Sequence, residues 1–329
     1  VIECTQNQKL AITRNSAVSI SSKYLMNTKK ELKVPVVFFI FNRPDTTQQV
    51  FDKIRMVKPC QLFIIADGAR NNKQGEAEKC QQVKKIINSI DWECEVLTNY
   101  SDINLGCKKR ISTGLDWVFS QVESAIILED DCLPDRSFFP FCEELLEKYQ
   151  DDRRIFAISG DNFQDGKSRT NYSYYYSLYN HCWGWATWRR AWQHYDVEMK
   201  LWETIRDGDW LDDILQNKAA AKYWKHKFQQ TYMGKFDTWD YQWTLSCWLQ
   251  SGLTILPNQN LVSNIGFDQQ LSTHTKNRNS PFANMPTEMM QFPLKHPPFV
   301  IRDRQADDIT YKKLFSLWSR LNRKLREYL

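Results

Sequence analysis

Ala125-Ile126-Ile127-Leu128-Glu129-Asp130-Asp131, continuing into Cys132-Leu133-Pro134-Asp135, is the stretch on which the fold turns. A short, wholly apolar run that stops at three carboxylates reads as a buried strand delivering acids to its C-terminal tip. In an open α/β sheet that edge is where ligands bind. Three adjacent acids repel one another unless a cation or ligand donors compensate, and hard divalent ions take such oxygen ligands. The plainer alternative is a solvated acidic turn, with Asp135 capping a helix from Phe138 to Tyr149.

Working outward, two more apolar runs precede this strand. Val34 to Phe41 breaks at Asn42-Arg43-Pro44-Asp45, where Pro44 and Asp45 suit a helix start running to Val57. Gln61 to Ala66 ends at Asp67-Gly68-Ala69-Arg70. A helix over about 76–90, a strand near 94–98 and an amphipathic helix within 104–120 complete an alternation of strand and helix. That alternation predicts a doubly wound, mostly parallel α/β sheet. No Gly-x-Gly-x-x-Gly or Walker-type loop occurs in it, which argues against dinucleotide oxidoreductases and P-loop enzymes.

Downstream, Ile155 to Ser159 reads as a strand, and the polar, Tyr-rich residues 164–175 as an exposed loop. His181 to Trp192 holds four tryptophans. Trp188 and Trp192, four apart, fit a helix packing on the sheet, whereas Trp183 and Trp185 flank Gly184, where backbone can approach a ligand. Residues 196–235 read as helical and charged. Asp237-Thr238-Trp239-Asp240 opens an apolar helix ending near Leu249, closed by Gly252, and Leu253 to Pro257 reads as a strand. Residues 268–298, rich in Asn, Ser, Thr, Pro and Met, have the composition of a loop able to fold over a substrate. The tail, Tyr311 to Leu329, places Leu314, Phe315, Trp318, Leu321 and Leu325 on one helical face amid basic residues. It reads as a docking helix, with peripheral contact to anionic lipid as the alternative.

The bulk properties narrow the class. The 329 residues carry a formal charge of +5, weak support for a nucleic-acid partner. Thirteen Trp and fourteen Tyr suit sugar rings and nucleobases, and suit cores equally well. Nine Cys with no metal-site spacing indicate a reducing, cytoplasmic compartment. No segment is apolar enough over sufficient length to span a bilayer, and no signal peptide is visible. The chain opens on Val1 rather than Met, compatible with a piece of a longer polypeptide.

Together these pieces resemble a GT-A glycosyltransferase, specifically the inverting N-acetylglucosaminyltransferase I type and its bacterial relatives. The resemblance runs from about residue 34 to 267. It rests on ordered signals: Asn42-Arg43-Pro44, Asp67-Gly68, Glu129-Asp130-Asp131, Gly184-Trp185 and Trp239-Asp240. It implies a GT-A, Rossmann-like catalytic domain over 34–267, with a nucleotide-binding half (34–131) and an acceptor half (132–267). Residues 1–33 would be a leader or linker, and 268–329 a loop and a C-terminal helical tail.

The activity implied is transfer of a sugar from a nucleoside-diphosphate donor, most often a uridine diphosphate sugar, to a hydroxyl of a glycan, glycolipid or glycoprotein. The reaction would invert the anomeric centre and use Mn2+ or Mg2+. By the same resemblance Asp131 matches the acid that ligates the metal, Asp130 the ribose-facing acid, and Glu129 an acid contacting donor sugar or acceptor. Asp67 matches the residue reading the uracil edge, Arg43 lies near base and phosphates, and Asp240 matches the general base; Trp185, beside Gly184, is the candidate pocket-lining residue from its position alone. The family's ribose-contacting His falls on Gly114 here. Lys109 or Arg110 is the candidate diphosphate contact, and His274 a candidate second metal ligand, against the plainer reading of each as a solvated side chain. A sugar nucleotidyltransferase is the enzymatic alternative, although its Gly-rich loop after the first strand is absent from Phe41-Asn42-Arg43-Pro44. A glycoside hydrolase, needing paired carboxylates without metal, and a non-catalytic carbohydrate-binding module are the others.

Overall fold

The computed structural model describes residues 31–267 and 280–319. Val36–Ile40 (β1) is buried throughout, and its alternate residues serve two cores. Val36, Phe38 and Ile40 join one apolar cluster, and Val37 and Phe39 join the other. A strand apolar on both faces needs helices on both faces, and the chain supplies them. Pro44–Val57 (α1) begins on Pro44 and buries Val50, Phe51 and Ile54. Gln61–Ala66 (β2), Glu76–Ile87 (α2), Glu95–Tyr100 (β3), Cys107–Phe119 (α3) and Ser124–Glu129 (β4) follow. α1 joins the first core, while Ile111, Leu115 and Val118 of α3 cover the second.

After β4, the short strand Cys132–Pro134 (β5) and the helix Phe138–Lys148 (α4) lead to Ile155–Ser159 (β6), Tyr174–Ser177 (β7) and Trp185–Trp188 (β8). Helices Arg189–Trp192 (α5), Trp202–Asp207 (α6), Trp210–Leu215 (α7), Lys218–Tyr232 (α8) and Asp240–Leu249 (α9) precede Leu253–Pro257 (β9) and Val262–Asn264 (β10). The main sheet has the order β3-β2-β1-β4-β8-β6-β9-β7. β3, β2, β1, β4, β6 and β9 run in one direction, with only β8 and β7 opposed. The protein is therefore α/β with a mostly parallel central sheet flanked by helices. The chain moves outward from β1 to β2 and β3, then returns to place β4 on the other side of β1. This switch point opens a crevice beyond the C-terminal ends of β1 and β4.

Two local expectations are corrected. Trp185–Trp188 is not part of a helix but a strand in mid-sheet, pairing Ile127 with Trp185 and Ala125 with Thr187. Trp185 and Thr187 on one face and Ala186 and Trp188 on the other fit a pleated surface buried on both sides, and the helix begins only at Arg189. Residues 174–175, expected in an exposed loop, are buried in β7. The Tyr174 hydroxyl is accommodated because Tyr149 Oη lies 2.7 Å from both Tyr174 Oη and Tyr176 Oη.

The later chain forms Arg304–Thr310 (α10) and a π-helical turn over Tyr311–Phe315. Phe315 stacks on Tyr223, its ring centroid 5.3 Å away, while Trp318 is 75% exposed, so the tail's apolar face is only partly covered. Leu321 and Leu325 lie outside the described residues, as do His274 and most of the expected leader. Residues 280–303 hold no helix or named strand, yet bury Phe282, Met290 and Leu294. Among the described residues no helix is long and apolar enough to cross a membrane.

Candidate active site

The crevice is a cleft of about 390 Å³ walled by the loops after β1, β2 and β4, the start of α3 and the approach to α9. Glu129 closes β4, and Asp130 and Asp131 make the turn into β5. That turn is pinned from outside. β5 pairs antiparallel with β10, and Ile265 N–H donates to the Asp131 carbonyl at 2.9 Å. Gly266 then passes so close that a Cβ there would sit 2.0 Å from Asp131 Oδ2. No larger residue leaves space for the carboxylate.

Accounting for lone pairs separates the acids that line the cleft. Asp67 accepts at Oδ1 from Gly68 N–H (2.9 Å) and Leu105 N–H (2.9 Å). At Oδ2 it accepts from Gly106 N–H and Asn104 Nδ2, both at 3.0 Å. A carboxylate offers about four acceptor sites, and these four are taken. Asp67 therefore shapes the 104–106 loop and has no lone pair left to read a base edge, which corrects the role expected for it. Asp237 is also engaged at both oxygens, accepting from Cys107 N–H and Lys108 N–H at 3.1 Å each. It supplies, from across the cleft, the cap that the start of α3 lacks in its own sequence.

Asp240, the first residue of α9, is different. Its Oδ1 accepts from Thr238 Oγ1 and from its neighbour Tyr241 N–H (2.9 Å), while Oδ2 has no hydrogen-bond partner among the described residues. Asp130 Oδ2 accepts from Phe41 N–H at 3.0 Å. Asp131 Oδ2 accepts from Arg43 Nη1 at 2.5 Å, and the same nitrogen lies 3.7 Å from Asp130 Oδ1. Arg43 is thus the counter-charge of the acid turn. Burial works against its positive charge, but Asp130 and Asp131 overcome that and hold its pKa above the ordinary value.

The Glu129 carboxylate makes no hydrogen bond among the described residues, and burial followed by repulsion from Asp131 and Asp130 pushes it up to about 8. Burial pushes Asp130 up to about 6, Asp131 adding to the shift and Arg43 opposing it. The folded state therefore holds these protons longer than the unfolded chain does. Their contribution to stability is present below about pH 4.5 and is lost as pH rises toward about 8. The melting temperature of protein kept in chelator is expected to fall across that interval, and Glu129→Gln to flatten the fall. A melting temperature that climbs over the same interval would contradict this electrostatic account.

The other expected site residues divide. Arg110 lines the cleft, whereas Lys109 is exposed and does not. Gly114 sits where α3 meets the sheet, and a Cβ there would lie 2.9 Å from Phe39, so that position has no room for a histidine. Trp185 is not on the wall. It is 1% exposed, stacked beneath Trp239 at 5.3 Å and packed on Trp192 and Trp243. Trp239 and Trp183 face the cleft instead. Gly184, at φ +71°, makes the turn that sends Trp183 outward and Trp185 inward. Cys107, Cys182 and Asn264 also line the cleft. No local motif marked them, because the elements carrying them meet only in the fold.

No protein-family model matches the chain. No curated protein matches it. Among solved structures, it is similar to the mannosyltransferase PcManGT from Pyrobaculum calidifontis in complex with GDP-Man and Mn2+, at 13% identity and a TM-score of 0.33. That match covers 53% of this chain and 51% of the other. It is also similar to a 4-diphosphocytidyl-2C-methyl-D-erythritol synthase from Anaerococcus prevotii DSM 20548, at 10% identity and a TM-score of 0.30, over 49% of this chain and 73% of that one. A UDP-glucose pyrophosphorylase complexed with UDP-glucose matches at 11% identity and 0.23, over 40% and 65%. The chain thus spans about half the length of the mannosyltransferase. At TM-scores below 0.5, the reading of the site rests on this chain's own residues.

Proposed function

We propose that the protein is a metal-dependent, inverting glycosyltransferase that moves a sugar from a nucleoside-diphosphate donor to an acceptor hydroxyl. The observation that carries this reading is the meeting, in one cleft, of the Glu129-Asp130-Asp131 turn and Asp240, elements more than a hundred residues apart.

The donor set suits Mn2+ or Mg2+. The groups are hard oxygens, and Gly266 leaves a cradle for the Asp131 carboxylate that any side chain would fill. Among the described residues no cluster of three or more His, Cys, Asp or Glu forms a ready cage. Asp131 would hold such an ion to the protein, with donor phosphate and water supplying its remaining oxygen ligands. When bound, the ion supplies Lewis-acid stabilisation of charge on the departing diphosphate.

The protein's own groups do the rest. Arg43 adds positive charge beside the leaving oxygens, in a wall already ordered before substrate arrives. Asp130, anchored by Phe41 N–H, orients the donor, and Glu129 meets the donor sugar or the acceptor. Asp240 Oδ2 takes the acceptor proton as the acceptor oxygen bonds to the anomeric carbon and the bond to phosphate breaks. Attack from the side opposite the diphosphate inverts that carbon.

A nucleotide-sugar screen with Mn2+, followed by identification of the released group, tests the proposal. Release of nucleoside diphosphate with the sugar inverted on the acceptor supports it. Release of pyrophosphate from a nucleoside triphosphate and a sugar phosphate would replace it with nucleotidyl transfer.

A further inference from the structure

Three arginines line the cleft: Arg43 pairs with the acid turn and Arg70 with Glu76, whereas Arg110 has no such partner among the described residues. It is 7% exposed, and both of its hydrogen bonds run from Nη2 to Asn99, at 2.7 Å to the backbone carbonyl and 2.7 Å to Oδ1. Its Nε has no hydrogen-bond partner, and among the described residues its hydrogen bonds go to Asn99 and to no carboxylate. Burial accordingly pulls its pKa below the ordinary value, with Asp67 opposing at a distance. A buried guanidinium without a counter-ion is costly unless a ligand brings acceptors to it.

Its position says which part of a ligand. Asn99 lies in β3, at the edge of the order β3-β2-β1-β4. Neighbouring strands are about 4.8 Å apart, so the Arg110 anchor stands roughly 14 Å across the sheet from the acids of β4. With the phosphates at Asp131 and Arg43 and the sugar at Asp240, as proposed above, the Arg110 end of the same cleft is left for the base. Asp67, the acid nearest that end, has its acceptor sites engaged, so the charged side chain without an ion pair there is the donor Arg110.

We infer that Arg110 reads a keto nucleobase, guanine or uracil, and disfavours adenine, thereby setting the base preference of the donor. This rests on the nucleotide-donor reading above. Arginine only donates, which suits the carbonyl and ring-nitrogen acceptors of guanine or the carbonyls of uracil. Adenine presents an amino donor where those bases present oxygen.

Calorimetric titration with UDP, GDP, ADP and inorganic pyrophosphate, each with Mn2+, tests the inference. The unmodified protein should bind UDP or GDP about tenfold or more tighter than ADP. Arg110→Met should bring the three nucleotides close together and leave pyrophosphate unchanged. Arg110→Lys, which keeps the charge but not the planar fork, should weaken the preference in the same direction and serves if the Met variant does not fold. An equal loss for nucleotides and pyrophosphate would reassign Arg110 to phosphate, and an undiminished preference would overturn the inference. If pyrophosphate and all three nucleotides fail to bind the unmodified protein, the donor reading itself falls.

Discussion

Asp131→Ala is expected to lower kcat/KM for sugar transfer by about a thousandfold or more, because it removes the side chain that would hold the cation against the diphosphate. The loss should appear in donor binding as well as turnover, since an ion held by Asp131 would contribute to both. The substitution also frees Arg43, whose Nη1 lies 2.5 Å from Asp131 Oδ2. Metal-independent affinity for a free nucleoside diphosphate should therefore persist in the variant. Steady-state kinetics over a Mn2+ titration separate the two contributions. A variant that keeps full activity, or the same Mn2+ dependence, would show that the cation is held elsewhere.

Asp240→Asn is expected to cut kcat by roughly 10²- to 10⁴-fold, the usual contribution of a positioned general base, while donor affinity stays essentially unchanged. The amide preserves shape, and its oxygen can still accept from Thr238 and Tyr241, but it cannot take the acceptor proton at the position of Oδ2. The neighbouring Asp237 is not expected to substitute, since both of its oxygens are engaged by the start of α3. Parallel measurement of kcat and nucleotide affinity checks this. Near-normal turnover would place the base elsewhere.

Much of the architecture was legible in the chain because burial on both faces leaves a plain mark. The runs at β1, β2 and β4 are continuous apolar segments that end at polar turns. β6 and β9 fall on the residues expected of them. The misreadings share a cause: aromatic residues carry little periodic information. Trp188 and Trp192 stand four apart as in a helix, yet the strand ends at one and the helix at the other. Tyr174 falls in a polar stretch that reads as an exposed loop, yet it is buried with its hydroxyl on Tyr149.

The acid turn was visible because it interrupts an apolar strand so abruptly. The work of Asp67 and Asp237 was not, since they engage backbone groups 38 to 130 positions away. Likewise, only the backbone angle at Gly184 decides that Trp183 faces the cleft and Trp185 the core.

The central claim is that this cleft binds a nucleoside diphosphate through a divalent ion held by Asp131. The most direct measurement is calorimetric titration of UDP and GDP into the protein at pH 7.5, with Mn2+ and with chelator. At least one of the two nucleotides should bind tenfold or more tightly with the ion, and Asp131→Ala should abolish that gain. Equal affinity with and without Mn2+, or a gain that survives in the variant, would contradict the account.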